Sequence, residues 1–386
     1  MPDRSDFGFE ITGRLPDGAG RAGVITTPHG VIRTPAFIPV GTKATVKAVL
    51  PESMRELGAQ VILANAYHLY LQPGADIVDE AGGVASFMGW NGPTITDSGG
   101  FQVLSLGVGF KKVLAMDSST VRSDDVIAKG KDRLAKVDDD GVTFTSHIDG
   151  SKHRFTPEIS MQVQHMLGAD IMFAFDECTT LLNTREYQER SVARTQEWAQ
   201  RCVASHERLT IERSHRPYQG LFAVVQGAQY EDLRRASARG LAALEVDGFG
   251  IGGALEKDQL GTIVRWVTEE LPEDKPRHLL GIGDPVDVFE GVAAGADTFD
   301  CVAPSRNARG GTAFHPERSF HLTNGRYRRD FEPIEDGCDC YTCLHYTRAY
   351  LHHLHKAKEM IGATLTTIDR KSTRLNSSHG YISYAV

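Results

Sequence analysis

Three groups of residues in this chain have the types and spacing to do chemistry. The first is Cys338-Asp339-Cys340-Tyr341-Thr342-Cys343, a C-x-C-x2-C pattern. Thiolates so spaced wrap one tetrahedral zinc and leave a corner for a fourth ligand. His345, His352, His353 and His355 follow within reach, and spacing alone does not choose among them. The second group is a pair of carboxylates. Asp97 opens the turn Asp97-Ser98-Gly99-Gly100, and Asp300 precedes Cys301. Asp97 suits a general acid/base, or a helix cap. Asp300, at another strand end, is equally ambiguous alone, and suits a nucleophile toward an anomeric carbon as one of its readings. The third group is basic. From Pro304 to Asp330 there are six arginines against two acids. Inside an acidic chain, that is a local positive field fit for phosphates, with Tyr327 available for packing or stacking.

The elements that must position these groups alternate. Short apolar runs occur at Val61–Ala64, Thr94–Thr96, Ile171–Phe175, Leu221–Val225, Gly248–Ile251, His278–Ile282 and Thr298–Phe299. Helical patterns fall between several of them, at Pro157–Met166, Arg185–His206, Tyr230–Ala243, Gln259–Leu271 and Val286–Ala294. Runs apolar on both faces predict parallel strands covered by helices, in a barrel or a doubly wound sheet. The run ends favour the barrel. Asn65, Asp97, Asp176, Gln226, Gly252-Gly253 and Asp300 each stand at or just after one. In a (β/α)8 barrel such ends converge on one mouth. No G-x-G-x-x-G opens a helix, which weakens the dinucleotide-fold alternative.

Composition sets bounds. The chain has 386 residues, 41% hydrophobic and 24% charged, with net charge −8. This is the profile of a soluble globular protein, not of a basic nucleic-acid coat. The longest apolar runs are too short to span a bilayer, and the first residues lack an export signal. A reducing cytoplasm is therefore expected, where clustered cysteines read as metal ligands rather than disulfides. Gly107–Gly141 is rich in charge and is expected to be a solvated surface insertion. A helical pattern runs from Tyr346 to about Leu365. The stretch Asp369–Val386 reads as translated sequencing adapter, so the natural sequence is expected to run only to Ile368, cut short there.

Taken in order, the motifs resemble one family. They are Thr34–Thr42, Thr96-Asp-Ser-Gly-Gly-Phe-Gln102, His147–Ser151, Ala174-Phe-Asp-Glu-Cys178, Val225-Gln-Gly227, Ile251-Gly-Gly253, Phe299-Asp-Cys301, Pro304–Gly311 and the cysteine knot. From about Phe9 to Ile368 the chain resembles bacterial tRNA-guanine transglycosylases, also called queuine tRNA-ribosyltransferases. The resemblance implies a TIM barrel over residues 1–330 and a small zinc-binding subdomain over 331–368. It implies exchange of the wobble guanine of G-U-N anticodon tRNAs (Asp, Asn, His and Tyr types) for a 7-deazaguanine. By motif, Asp300 would be the nucleophile forming a covalent tRNA intermediate, and Asp97 the general acid/base. Asp176, Gln226 and Gly253 would bind the base, Phe101 would stack on it, and Cys178 would line the pocket. Arg306 and Arg309 would hold the anticodon loop. Cys338, Cys340 and Cys343 would bind zinc, and the chain would act as a homodimer.

The chain departs from the family at three places. The family's fourth zinc ligand is a histidine that would fall at position 369, where Asp369 stands, so an incomplete zinc site is expected. Gly253 is followed by Ala254-Leu255-Glu256-Lys257 instead of the usual Gly-Leu-Ala/Ser-Val-Gly-Glu pattern, which leaves open whether the incoming base is 7-aminomethyl-7-deazaguanine or queuine. Ser305 replaces a usual threonine and keeps the hydroxyl. Two rival readings stand beside the resemblance. A non-catalytic RNA-binding subunit of the same fold would be expected to lose Asp97 and Asp300. A barrel glycoside hydrolase would need neither the cysteine knot nor the arginines.

Overall fold

The computed structural model describes residues 6–102, 135–314 and 318–369. Eight parallel strands form one sheet: β1 (Ala36–Pro39), β2 (Ile62–Ala64), β3 (Thr94–Thr96), β4 (Ile171–Phe173), β5 (Gly220–Val225), β6 (Gly248–Ile251), β7 (Arg277–Leu279) and β8 (Thr298–Cys301). From β2 to β8 each strand pairs with the next in chain order, β3 with β4 included despite the insertion between them, and β8 pairs with β1. The last gap closes between β1 and β2 through a Val40–Leu63 bridge, with Gly41 N–H donating to the Leu63 carbonyl at 2.6 Å. The sheet is therefore a barrel, as the α/β (β/α)8 reading expected.

Alternation along the strands sorts side chains into two cores. Ile38, Leu63, Ile95, Ile171, Phe173, Phe222 and Val224 share one buried cluster with the N-terminal Ile25 and Ile32. Their sequence neighbours Phe37, Ile62, Met172, Leu221, Ala223 and Val225 belong to another, with helix residues such as Trp198, Leu241 and Ile263. Burial of both strand faces is what made the runs apolar throughout.

Several helices start where the sequence provides caps. Thr156 accepts from Ile159 N–H, with Pro157 at the first helical position of Pro157–Leu167. Thr184 caps Arg185–Glu212 in the same way, and Asp284 caps Pro285–Ala293. These side chains satisfy donors that the first turn leaves orphaned.

Three small antiparallel sheets lie outside the barrel order among the described residues, the smallest pairing Thr312–Ala313 with Phe320–His321. An antiparallel sheet of Gly8–Arg14, Arg21–Thr27 and Gly30–Thr34 precedes β1. Its Ile25 and Ile32, with Phe7 and Phe9, join the cluster that includes Ile171 and Phe222. A second antiparallel sheet, Ala135–Asp138, Gly141–Thr145 and Lys152–Phe155, lies between β3 and the helix leading to β4. The end of the expected insertion falls in this sheet, with residues 135–140 half-buried or exposed. Residues 135–141 are a strand and turn tied to the barrel, where Trp198 Nε1 donates to the Asp139 carbonyl at 2.7 Å. Residues 107–134 lie outside the described residues.

A separate cluster forms the C-terminal subdomain: Phe320, Leu322, Tyr327, Ile334, Cys340, Cys343, Leu351, Leu354 and Leu365. Tyr327 is buried and packs on Phe320 with ring centroids 5.0 Å apart, so it packs and is not presented for stacking. The helical pattern from Tyr346 divides into Arg348–Ala357 and a helix over 360–369. Lys358 adopts φ +60° between them and ends the first. Among the described residues, no helix is long and apolar enough to cross a membrane.

Candidate active site

The carboxyl ends of the parallel strands face one mouth, and the predicted acids stand there. Asp97 follows β3. Asn65, one residue past β2, donates its side-chain amide to Asp97 Oδ2 in a short contact. Ala66 N–H donates to Oδ1 at 2.8 Å, and Gln102 Nε2 donates to Oδ2 at 2.5 Å. Burial nevertheless wins over these donors. It pushes the Asp97 carboxyl up to about 6, and the negative charge of Asp300 adds to the rise. A carboxyl poised there can both give and take a proton near neutrality.

Asp300 is on β8, with its side chain 14% exposed. His278 Nε2, from β7, donates to its Oδ1 at 3.1 Å, and Gly281 N–H donates to the same oxygen at 2.9 Å. Two carboxyls within each other's field, one raised and one held by donors, are the arrangement that separates acid/base work from nucleophilic work.

Between them lies a polar cradle. Asp176, past the end of β4, accepts from Ser98 Oγ at 2.9 Å and from Gln226 Nε2 at 2.8 Å. It is 8% exposed, and burial raises its carboxyl to about 6 against the pull of those two donors. Gly100 must be glycine here, since a Cβ would lie 2.5 Å from the Asp176 carbonyl oxygen. Gly253, two residues past β6, has φ +78°, and a Cβ there would fall 2.5 Å from Gln226 Oε1 and 3.4 Å from Arg234 Nη2. Those two atoms are buried without a hydrogen-bond partner. An acceptor and a donor thus converge on backbone that only glycine leaves open.

Arg234 went unread in the sequence. It is fully buried and ties two strand ends together. Its Nε donates to the Ala228 carbonyl at 2.8 Å and its Nη1 to the Gly252 carbonyl at 2.6 Å. Burial lowers its pKa to about 9. Cys178 lies close enough to feel this guanidinium, but burial, followed by the Asp176 charge, pushes its thiol up to about 12. Cys178 is therefore a neutral pocket group and not a nucleophile. Cys301 is occupied locally, with its sulfur 3.4 Å from Ala303 N–H. Phe101 stands in the helical turn that begins at Gly100, with 37% of its surface exposed.

The helix Ala303–Arg309 leaves β8 directly and carries Arg306 and Arg309. Arg306 is exposed. Burial, together with the charge of Arg306, lowers the pKa of Arg309, whose Nη1 has no partner. Arg318, Arg326, Arg328 and Arg329 are exposed as well, so the basic stretch presents several guanidinium groups to solvent.

Away from the mouth, Cys338, Cys340, Cys343 and Asp369 bring one ligand atom each within 4.8 Å of one another. Asp369 Oδ1 is 3.4 Å from the Cys343 sulfur and 3.8 Å from that of Cys340, and the residue is fully buried. The corner expected to lack a ligand is thus offered a carboxylate. Three thiol sulfurs and an acid, all buried except the half-buried Cys338, are a donor set that fits a divalent metal. The four histidines considered above are not in this group. His345 bonds the Tyr341 carbonyl, His352 the Leu322 carbonyl and His355 the Thr366 hydroxyl.

The family model for queuine tRNA-ribosyltransferase matches residues 17–369. A queuine tRNA-ribosyltransferase of Pelotomaculum thermopropionicum is 46% identical, over 93% of this chain and 89% of its own. The protein of the same name from Symbiobacterium thermophilum is also 46% identical, over 93% and 83%. That from Fusobacterium nucleatum is 44% identical, over 91% and 87%. Matches this long, across barrel, mouth and cysteine knot alike, establish that the chain belongs to the queuine tRNA-ribosyltransferase family.

Proposed function

We propose that this enzyme exchanges the wobble guanine of tRNAs with G-U-N anticodons for a 7-deazaguanine, through a covalent intermediate on Asp300. Base exchange on tRNA follows from membership of the family. The observation that carries the finer reading is the pairing of Asp97 and Asp300 across a cradle of Asp176, Gln226 and Gly253.

In this reading a flat base enters the cradle. Asp176 accepts from its N–H edge, the second Nε2 hydrogen of Gln226 and the Gly253 backbone N–H donate to its carbonyl edge, and Phe101 covers one face. Cys178 lines the pocket as a thiol. An Asp300 oxygen attacks ribose C1′ while the bond from C1′ to the guanine nitrogen breaks, and the electron pair leaves with the base. Asp97 supplies the proton the departing base needs. The incoming base then returns a proton to Asp97 as its nitrogen displaces Asp300 from C1′. Arg306 and Arg309 hold phosphates of the anticodon loop, where a base can leave its stack. Cys338, Cys340, Cys343 and Asp369 would hold a zinc ion, whose part is to brace the C-terminal subdomain.

Trapping tests the covalent step. Wild-type protein mixed with tRNA should give a band on denaturing gels that carries both protein and RNA. Asp300→Asn should abolish it. A full-strength band from Asp300→Asn would remove Asp300 as the nucleophile.

A further inference from the structure

Asp300 spends one oxygen on both of its hydrogen bonds. His278 Nε2 and Gly281 N–H converge on Oδ1, and Oδ2 receives no donor among the described residues. His278 is 1% exposed and lies opposite Thr298 in the β7–β8 register. Thr298 and Asp300 are two apart on β8 and share a face. The imidazole bridges them, with Nδ1 2.8 Å from Thr298 Oγ1. A carboxylate only accepts, so Nε2 carries the hydrogen. In a neutral ring, Nδ1 then accepts from the threonine hydroxyl. The ring is locked from both ends and packed 5.3 Å from the Phe173 ring centroid.

We propose that His278 is a positioning residue for Asp300, which it orients so that Oδ2 meets ribose C1′. This rests on the reading of Asp300 as the nucleophile. In the first half-reaction an Oδ2 lone pair forms the bond to C1′ as the bond to guanine breaks. Oδ1 becomes the ester carbonyl and keeps both donors. In the second half the C1′–Oδ2 bond breaks, and its electron pair returns to the carboxylate. Developing charge then spreads onto Oδ1, where the two donors already wait. Holding Oδ1 therefore aims the attack and also eases departure. A carboxylate that must be nucleophile once and leaving group once needs both.

The test compares His278→Asn with His278→Gln. A glutamine amide nitrogen reaches the position of Nε2, while an asparagine amide stops near Nδ1 and cannot reach Asp300. The readouts are the single-turnover rate of labelled-guanine incorporation into tRNA, the KM for the base, the steady-state fraction of enzyme held as adduct, and the thermal midpoint. His278→Asn should slow exchange by about tenfold or more, the scale of one hydrogen bond to a charged group, with KM for the base within about twofold. More enzyme should stand as adduct, because departure is slowed. His278→Gln should recover most of the rate at a similar thermal midpoint. Equal losses in both variants, tracking the thermal midpoint, would mean that the ring only packs. An unimpaired His278→Asn, in a protein whose Asp300→Asn variant forms no adduct, would overturn the role of His278 alone. An adduct that survives Asp300→Asn would overturn the nucleophile reading, and this proposal with it.

Discussion

Gln226 Nε2 donates to Asp176 Oδ2 at 2.8 Å, which joins the ends of two adjacent barrel strands across the floor of the pocket. Gln226 stands directly after β5, and Asp176 lies beyond β4 in the chain segment Ala174–Asp176. Neither residue is set for its own stability. Asp176 is buried with its carboxyl raised, and Gln226 Oε1 is buried and unpaired. A pocket that carries such costs is organised around a ligand that relieves them.

Asp176→Asn should therefore stabilise the protein while harming it as an enzyme. A carboxyl whose pKa rises on folding holds its proton more tightly in the fold than in the unfolded chain. Its contribution to stability is present at low pH and is lost as pH climbs from 3.8 to about 6. The variant should gain on wild type over that window, by about 1–3 kcal/mol above it. Its KM for the base should rise. Denaturant unfolding at pH 4.5 and pH 7.5 checks the first part. A difference that does not change with pH would contradict the raised carboxyl.

Asp97→Asn should lower exchange by about 10²–10⁴, the usual worth of a positioned acid/base, and leave tRNA affinity intact. Asn65 and Gln102 orient Asp97, so Asn65→Ala should show a smaller loss in the same direction. Incorporation rates beside filter binding separate the two effects.

Gly253→Ala should cost twice over. At φ +78° an alanine is strained by about 1–2 kcal/mol, and its Cβ would press on Gln226 Oε1. The KM for the base should rise by at least about tenfold, with KM for tRNA unchanged.

Arg306→Ala and Arg309→Ala should weaken tRNA and not the base. Each lost phosphate contact on a single-stranded loop should reduce the slope of log affinity against log salt by about 0.7. Titrations between low and physiological salt measure it.

Asp369 and the three cysteines should bind one zinc per chain, seen by elemental analysis. Chelation should lower the thermal midpoint by several degrees, because a metal that binds only the fold stabilises it. Cys340→Ala should lose the metal, and Asp369→Ala should retain it more weakly. Full zinc occupancy in Cys340→Ala would contradict this assignment.

Much of the barrel was legible because several of the strands β2 to β8 are apolar on both faces and most are followed by polar or small residues. β1 was not read as a strand. It has four residues, begins after Pro35 and ends at Pro39, and proline is a poor strand signal. The N-terminal sheet has alternation visible in its burial, but its strands are only half covered and carry charge, so it did not rise above the loops. At the site, residues with distinctive chemistry were readable. Their supports were not. His278 sits inside a run read only as a strand, Asn65 was noted only as a strand end, and Arg234 lies on an ordinary-looking amphipathic helix. Each role depends on a partner far away in sequence or on an adjacent strand, which spacing does not reveal. The break at Lys358 was hidden because lysine seldom takes a positive φ.

The most direct test is incorporation of labelled guanine into a tRNA with a G-U-C anticodon, by the wild-type protein and by Asp300→Asn. The account predicts incorporation by the wild type and none by the variant, with both folded and both binding tRNA. Incorporation by Asp300→Asn at the wild-type rate, or none by a folded wild-type protein that binds the tRNA, would contradict it.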